Sequence, residues 1–386
     1  MSADADRALM RRAVELGELV RGTTAPNPWV GAVLSIRDGA AFDGATQPPP
    51  GRHAEIVALE AARARGADPA GATLFTTLEP CSHTGRTPPC VETIIAAGVE
   101  RVVIGTADPD PNVSGTGIEA LRAAGIEVVA GVGASEVEAS LRPYLHQRRA
   151  GRPWVVLKLA STLDGRTGAP DGSSQWITAT AARADAHGLR ARCDAVLVGA
   201  RTVRADNPRL TVRDLPLDDP RRPLVALRDG QQPTCRLPIT PSAAARLDPR
   251  RYVLGTAPAR AEIRPCVELG GPLPEVLCRL AADGVVELLV EGGARVAGDL
   301  HRAGLVDEYV VYVAPALMGG DDGRPLMAGA GAGTMDALWR GQIADVRRVG
   351  PDVRLVVHRL AAQPAQHSGG ACPATVGADP LAASAS

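Results

Sequence analysis

The sequence predicts an α/β protein of two consecutive domains. Strand-like apolar runs alternate with helical ones, and the alternation restarts after a polar break near residue 151. The length of 386 residues also exceeds one average domain.

The first domain, residues 1–150, opens with a helix over 7–22. Ala8, Leu9, Ala13, Val14, Leu16, Leu19 and Val20 recur there at helical spacing, and Pro26-Asn27-Pro28 breaks the pattern. Val30 to Ser35 is a short apolar strand ended by the turn pair Asp38-Gly39. Pro48 to Gly51 is a loop that leads into a helix over 53–65, where Glu55, Ile56, Leu59 and Ala62 suit helical geometry. Thr73 to Thr77 is a strand, and Pro89 precedes a second helix with Gly98 past its end. A buried strand at 102–105, a helix at 117–124, a strand at 128–129 and a helix over 133–150 complete the domain.

The basic stretch His146-Gln147-Arg148-Arg149 with Gly151-Arg152-Pro153 marks the boundary. The second domain, 151–360, has strands at 154–160, 195–199, 223–227, 251–254, 285–290, 308–313 and 353–358. Helices lie near 179–192, 273–283 and 294–303. Residues 361–386, rich in Ala, Gly, Pro and Ser, read as a disordered tail.

Composition narrows the function classes. Hydrophobic residues make up 45% and charged ones 22%, an ordinary globular balance, while aromatics at 3% leave a core of Val, Leu, Ile and Ala. A net charge of −1, without a basic block, argues against a nucleic-acid partner. No apolar run approaches the ~20 residues that span a bilayer. The acidic, polar start Met1 to Arg7 is no signal peptide, so the cytosol is the expected compartment. The seven cysteines form no disulfide framework: Cys193, Cys235, Cys266, Cys278 and Cys372 read as free thiols.

Cys81 and Cys90 have different company. Cys81 follows Glu55 by 26 residues and Cys90 comes nine later, with His53 two before the glutamate. A catalytic zinc takes three protein ligands and leaves a position for water. His53, Cys81 and Cys90 supply one nitrogen and two thiolates. Glu55, on the first turn of the helix, can carry a proton from water to a leaving amine without binding the metal. The pattern fits the H-x-E…P-C-x-x-C signature of zinc nucleobase deaminases, except for the wider cysteine gap. A structural site would want a fourth ligand, for which His83 is the near candidate, and would have no use for Glu55.

The run Thr77-Leu78-Glu79-Pro80-Cys81-Ser82-His83-Thr84-Gly85-Arg86-Thr87-Pro88-Pro89-Cys90 resembles the bifunctional riboflavin-biosynthesis deaminase–reductases. Supporting matches are Asn27-Pro28, Val30-Gly31, and Asp108-Pro109-Asp110-Pro111 followed by Gly115 and Gly117. The resemblance implies an N-terminal cytidine-deaminase-like three-layer domain followed by a C-terminal dihydrofolate-reductase-like domain. It also implies zinc, a diaminopyrimidinone substrate bearing a ribosylamino phosphate, and a homo-oligomer. Asn27 and His83 would contact substrate, with Arg86 beside them. This chain departs from the family pattern at Arg52, at Asp110, and over 44–50, where a Trp/Tyr-His pair is absent.

Three segments carry the second half of the resemblance: Lys158 to Arg166 with Ser174 to Thr178, Gly199 to Arg213, and Leu288 to Ala294. In the last, a strand enters a glycine turn and a helix whose free N–H groups suit a phosphate. It lacks the G-x-G-x-x-G fingerprint, and a glycine after a strand is by itself most often a turn. The resemblance implies NADPH held by Ala160, Trp176, Thr202, Asp206 and the turn Gly293, Ala294, Arg295, Val296, Ala297, Gly298 and Asp299. Ser174, Arg190, Leu210, Arg213 and Glu291 would hold the substrate, and Lys158 is expected to have a partner or face the cleft. Departures here are Asn207, the stretch 224–245 and the linker Leu141 to Tyr144. The rival readings are a specialised-metabolism paralogue on a related pyrimidine and, against the charge and aromatic content, an RNA-directed module.

Overall fold

The computed structural model describes residues 2–37, 39–83, 88–110, 113–216, 218–219, 221–229 and 240–360. It divides into two compact units, Met1–Arg149 with Pro220–Leu247, and Ala150–Asp219 with Asp248–Ser386.

The first unit runs α1 (Ala3–Val20), β1 (Gly31–Ser35), β2 (Ala41–Ala45), α2 (Ala54–Ala64), β3 (Thr73–Leu78), α3 (Cys90–Ala96), β4 (Arg101–Thr106), α4 (Thr116–Ala123), β5 (Glu127–Ala130) and α5 (Ala134–Ala150). Its sheet has the order β2-β1-β3-β4-β5. β1 is antiparallel to β2 and β3, whereas β3, β4 and β5 are parallel. β3 and β4 are buried on both faces, which is why Val102-Val103-Ile104 reads as a continuous apolar run, whereas β5 lies at the sheet edge and is partly exposed. α1 packs on β1 and β3, and α2 on β1 and β2. This seating depends on glycine: a Cβ on Gly31 would lie 1.8 Å from the Ala13 carbonyl oxygen. α1 starts at Ala3, earlier than its apolar pattern suggests, because the Ser2 hydroxyl caps it by accepting from the Ala5 N–H.

The second unit runs β6 (Trp154–Thr162), β7 (Arg166–Gly168), α6 (Thr180–Arg192), β8 (Ala195–Gly199) and α7 (Ala200–Asp206). The chain then makes an excursion, α8 (Arg222–Arg228) and α9 (Pro241–Ala245), that belongs to the first unit. It continues with β9 (Arg250–Leu254), β10 (Val267–Leu269), α10 (Leu273–Ala282), β11 (Glu287–Val290), α11 (Ala294–Arg302), β12 (Glu308–Ala314), β13 (Arg324–Pro325), β14 (Gly341–Val349) and β15 (Asp352–Arg359). The eight-stranded sheet has the order β10-β9-β8-β11-β6-β12-β15-β14, parallel up to β12 and antiparallel beyond. Strand alternation sends Leu288 and Val290 into one core with Leu157 and Leu197, and Leu289 into the other with Val156 and Val196.

Several expectations need correction. The expected strand at 223–227 is the helix α8, with Pro223 in its first turn, where the missing N–H is harmless. The strands β2, β7, β10, β13 and β14 were not legible; β14 is an exposed sheet edge of mixed polarity, without an alternating pattern. Cys278 is disulfide-bonded, contrary to expectation, whereas Cys193 and Cys266 are in no disulfide. Cys235, Cys372, Asp38, Arg86 and the tail 361–386 lie outside the described residues. No helix among the described residues is long and apolar enough to cross a membrane.

Candidate active sites

His53 is the N-cap of α2, so its ring leaves the chain just as the helix begins, and Glu55 follows in the first turn. Cys90 is the first residue of α3, behind Pro89. Cys81 lies beyond the end of β3. These elements bring one ring nitrogen and two sulfurs within 4.8 Å of one another. His53 Nδ1 is 3.2 Å from Cys90 Sγ and 3.6 Å from Cys81 Sγ, and the Cys90 N–H points at Cys81 Sγ from 3.4 Å. A nitrogen and two sulfurs at this spacing fit zinc with one position left open. His83 is exposed and is not part of the cluster.

The electrostatics match the assigned roles. A hydrogen bond with Cys90, aided by His53, holds the Cys81 thiol down to about 4 and pushes the Cys90 thiol up. Burial lifts the Glu55 carboxyl to about 7, against the opposing pull of His53. A buried carboxyl balanced between its two forms is suited to moving a proton.

The Asn27 backbone is fixed by its own N–H to the Thr24 carbonyl (2.9 Å) and by the Thr24 hydroxyl to the Asn27 carbonyl (3.0 Å). Asp108 is buried and accepts from the Tyr144 hydroxyl (3.0 Å) and the Asp110 N–H (2.9 Å). Sequence reasoning passed over Glu79, a buried carboxylate next to Pro80-Cys81. Its signal was present in Gly117, where a Cβ would meet the Pro80 carbonyl oxygen and the Glu79 side chain, next to Gly115, which is glycine for its left-handed backbone at φ 82°.

In the second unit the structure brings several of the expected residues into a polar cluster. Arg190 pairs with Glu291 through two bonds of 2.5 and 2.9 Å and donates to the Thr211 carbonyl (3.3 Å). His187, which sequence reasoning did not single out, accepts the Arg213 N–H on Nδ1 (2.7 Å), and burial pushes it down to about 4. Lys158 lies 5.8 Å from the Tyr312 ring centre; burial lowers its pKa, and the Glu291 carboxylate opposes the fall.

The other residues divide by position. Gly293 is the N-cap of α11 and offers no side chain to it, leaving the first helical N–H groups suited to an anion. The Gly293 N–H itself donates to Thr202 Oγ1 at 3.1 Å. Ala294, Arg295 and Val296 make the opening turn of α11, whereas Ala297 faces the core and Gly298 packs against the Ala328 carbonyl. Asp299 pairs with Arg302. Trp176 is 69% exposed with Arg183 over its ring, and Asp206 is exposed at the end of α7. Ala160 lies opposite Tyr312 in the sheet, and Ser174 is half-buried near Gly168. The Leu210 side chain is in the core, with a left-handed backbone at φ 53°, and Arg213 is exposed.

The fold and the three-ligand centre define a zinc-dependent hydrolytic deaminase unit joined to a second α/β unit. Residues 3–106 match the cytidine and deoxycytidylate deaminase zinc-binding region, and residues 153–355 match the RibD C-terminal domain. The chain is 40% identical to the riboflavin biosynthesis protein RibD of Bacillus amyloliquefaciens over 359 residues, 90% of this chain and 94% of that protein. Against the RibD of Escherichia coli it is also 40% identical, over 91% of this chain and 98% of the relative. A solved RibD of Acinetobacter baumannii superposes with a TM-score of 0.80 at 33% identity, covering 93% of this chain and all (100%) of that one. A diaminohydroxyphosphoribosylaminopyrimidine deaminase/5-amino-6-(5-phosphoribosylamino)uracil reductase of Thermotoga maritima gives 0.76 at 31% identity, with the same coverage. The chain belongs to the RibD family, the bifunctional deaminase–reductases of riboflavin biosynthesis. Zinc and a nicotinamide cofactor go with these two domains, and neither rival reading is favoured by the relatives.

Proposed function

We propose that this chain hydrolyses the amino group of 2,5-diamino-6-(5-phosphoribosylamino)pyrimidin-4(3H)-one and then reduces the ribosyl group to ribityl with NADPH. The observation that carries the reading is the cluster of His53, Cys81 and Cys90 with buried Glu55 alongside. Zinc, when bound, supplies Lewis acidity that lowers the pKa of water to about 7. Glu55 takes a proton from the attacking water and returns it to the departing amine. His53 and both cysteines hold the metal, and Asn27 and His83 contact the pyrimidine side of the substrate.

In the reductase half, NADPH supplies hydride. The open start of α11 at Gly293 with Thr202 receives its phosphates; Ala160, Trp176 and Asp206 complete its site. Arg190 pairs with Glu291, and this pair with the exposed Arg213, Ser174 and Leu210 makes up the proposed substrate site, Arg213 meeting the substrate phosphate. Incubating the zinc-loaded protein with this pyrimidine and NADPH tests the reading: ammonia followed by NADPH oxidation is expected, and no ammonia refutes it.

A homo-oligomer is the proposed working form. β14 is one edge of its sheet among the described residues and exposes Ile343 and Val346. A second copy paired antiparallel about Val346 sets Asp345 of one chain opposite Arg347 of the other. Sedimentation velocity distinguishes this from a monomer.

A further inference from the structure

Glu79 lies between β3 and the ligand Cys81, and it is only 4% exposed. Its carboxylate accepts four backbone N–H groups from a distant segment. Asp108 (3.3 Å) and Gly115 (3.1 Å) donate to Oε2; Gly117 (3.0 Å) and Ile118 (3.2 Å) donate to Oε1. The N-cap of α4 is Gly115, which has no side chain to satisfy the first helical N–H groups. Glu79 therefore caps α4 from elsewhere in the chain, placing negative charge at the positive end of the helix.

Contacts on both sides of Cys81 reinforce this. A Cβ on Gly117 would sit 2.1 Å from the Pro80 carbonyl oxygen, so the backbones touch there. Ser82 Oγ is 2.6 Å from Thr116 Oγ1. Residues 79, 80 and 82 are all anchored to one helix start, with the ligand between them.

We infer that Glu79 is a positioning residue of the deamination site: it ties the backbone next to Cys81 to the N–H groups of Asp108, Gly115, Gly117 and Ile118 and so fixes the ligand sulfur. The inference rests on Cys81 being a zinc ligand. A carboxylate is required because all four partners are donors; an amide would turn its NH2 toward two of them.

The test compares full-length zinc-loaded wild type with Glu79→Gln. Zinc transfer to a chromophoric chelator is timed, alongside the thermal midpoint and the kcat and KM of ammonia release. Zinc release is expected to be roughly 10–100-fold faster in the variant, the usual effect of removing support from a metal ligand. Its kcat for ammonia should fall, while NADPH oxidation with the deaminated pyrimidine is unchanged. Zinc release within about twofold of wild type overturns the inference even if the thermal midpoint drops, because a merely structural role moves only the latter. Should Glu79→Gln not fold, amide hydrogen exchange on the wild type decides. Chelating the zinc should speed exchange at Asp108, Gly115, Gly117 and Ile118, and unchanged exchange overturns the inference. A wild type that binds no zinc at all would instead refute the metal-centre reading itself.

Discussion

Replacing Glu55 by Gln removes one proton-carrying group and leaves the shape of the site intact. Burial raises this carboxyl from 4.5 to about 7, so ionising it in place costs on the order of 3 kcal/mol at 1.36 kcal/mol per pH unit. A neutral amide escapes that cost, and the thermal midpoint of the variant should hold or rise. Catalysis should move the other way. A positioned acid–base group contributes roughly 10²–10⁴-fold, which is about 3–5 kcal/mol of barrier. The assay follows ammonia release at saturating pyrimidine, with zinc per chain measured on the same sample. Full zinc content with ammonia release down at least about a hundredfold is the expected outcome. Zinc loss would make Glu55 a structural support of the ligands, and near-normal ammonia release would place the proton carrier elsewhere.

Arg190→Ala strands the buried Glu291 carboxylate, so the second unit should lose about 3–5 kcal/mol of stability and NADPH oxidation, while ammonia release persists; loss of both activities in a folded variant would contradict separate sites. Asp194 offers a pH test. Burial raises it from 3.8 to about 6, although it accepts the Val286 and Glu287 N–H groups. Its folded value lies above its unfolded one, so its stabilising contribution is complete below about pH 4 and is lost as pH rises through about 6, on the order of 3 kcal/mol. Asp194→Asn should flatten the thermal midpoint across that window, and an unchanged slope would assign the pH dependence to other groups.

The clustering of His53, Cys81 and Cys90 was legible in the sequence because its pattern is local. His53 and Glu55 share the start of one helix, and Cys81 and Cys90 stand nine residues apart in the sequence. Glu79 was not legible, since its four partners lie 29–39 residues away and are backbone groups that no motif displays. In the second domain the central parallel strands β6, β8, β11 and β12 were readable because burial on both faces leaves long apolar runs, whereas the parallel strand β10 is mostly exposed. β14 escaped notice because an exposed edge has no face to mark. The run 223–227 misled because a short apolar stretch serves strand or helix equally, and only its place outside the central sheet decides. Among the reductase residues, Arg190 and Glu291 were named separately as substrate ligands. Their mutual pairing depends on a contact across 101 positions.

The central claim is that one chain first deaminates and then reduces the same pyrimidine. The most direct test follows ammonia and NADPH together in one zinc-loaded preparation given the phosphorylated diaminopyrimidinone. Equal molar amounts are predicted, ammonia appearing first, with Glu55→Gln abolishing both signals and Arg190→Ala only the second. NADPH oxidation without ammonia, or undiminished in Glu55→Gln, would contradict the account.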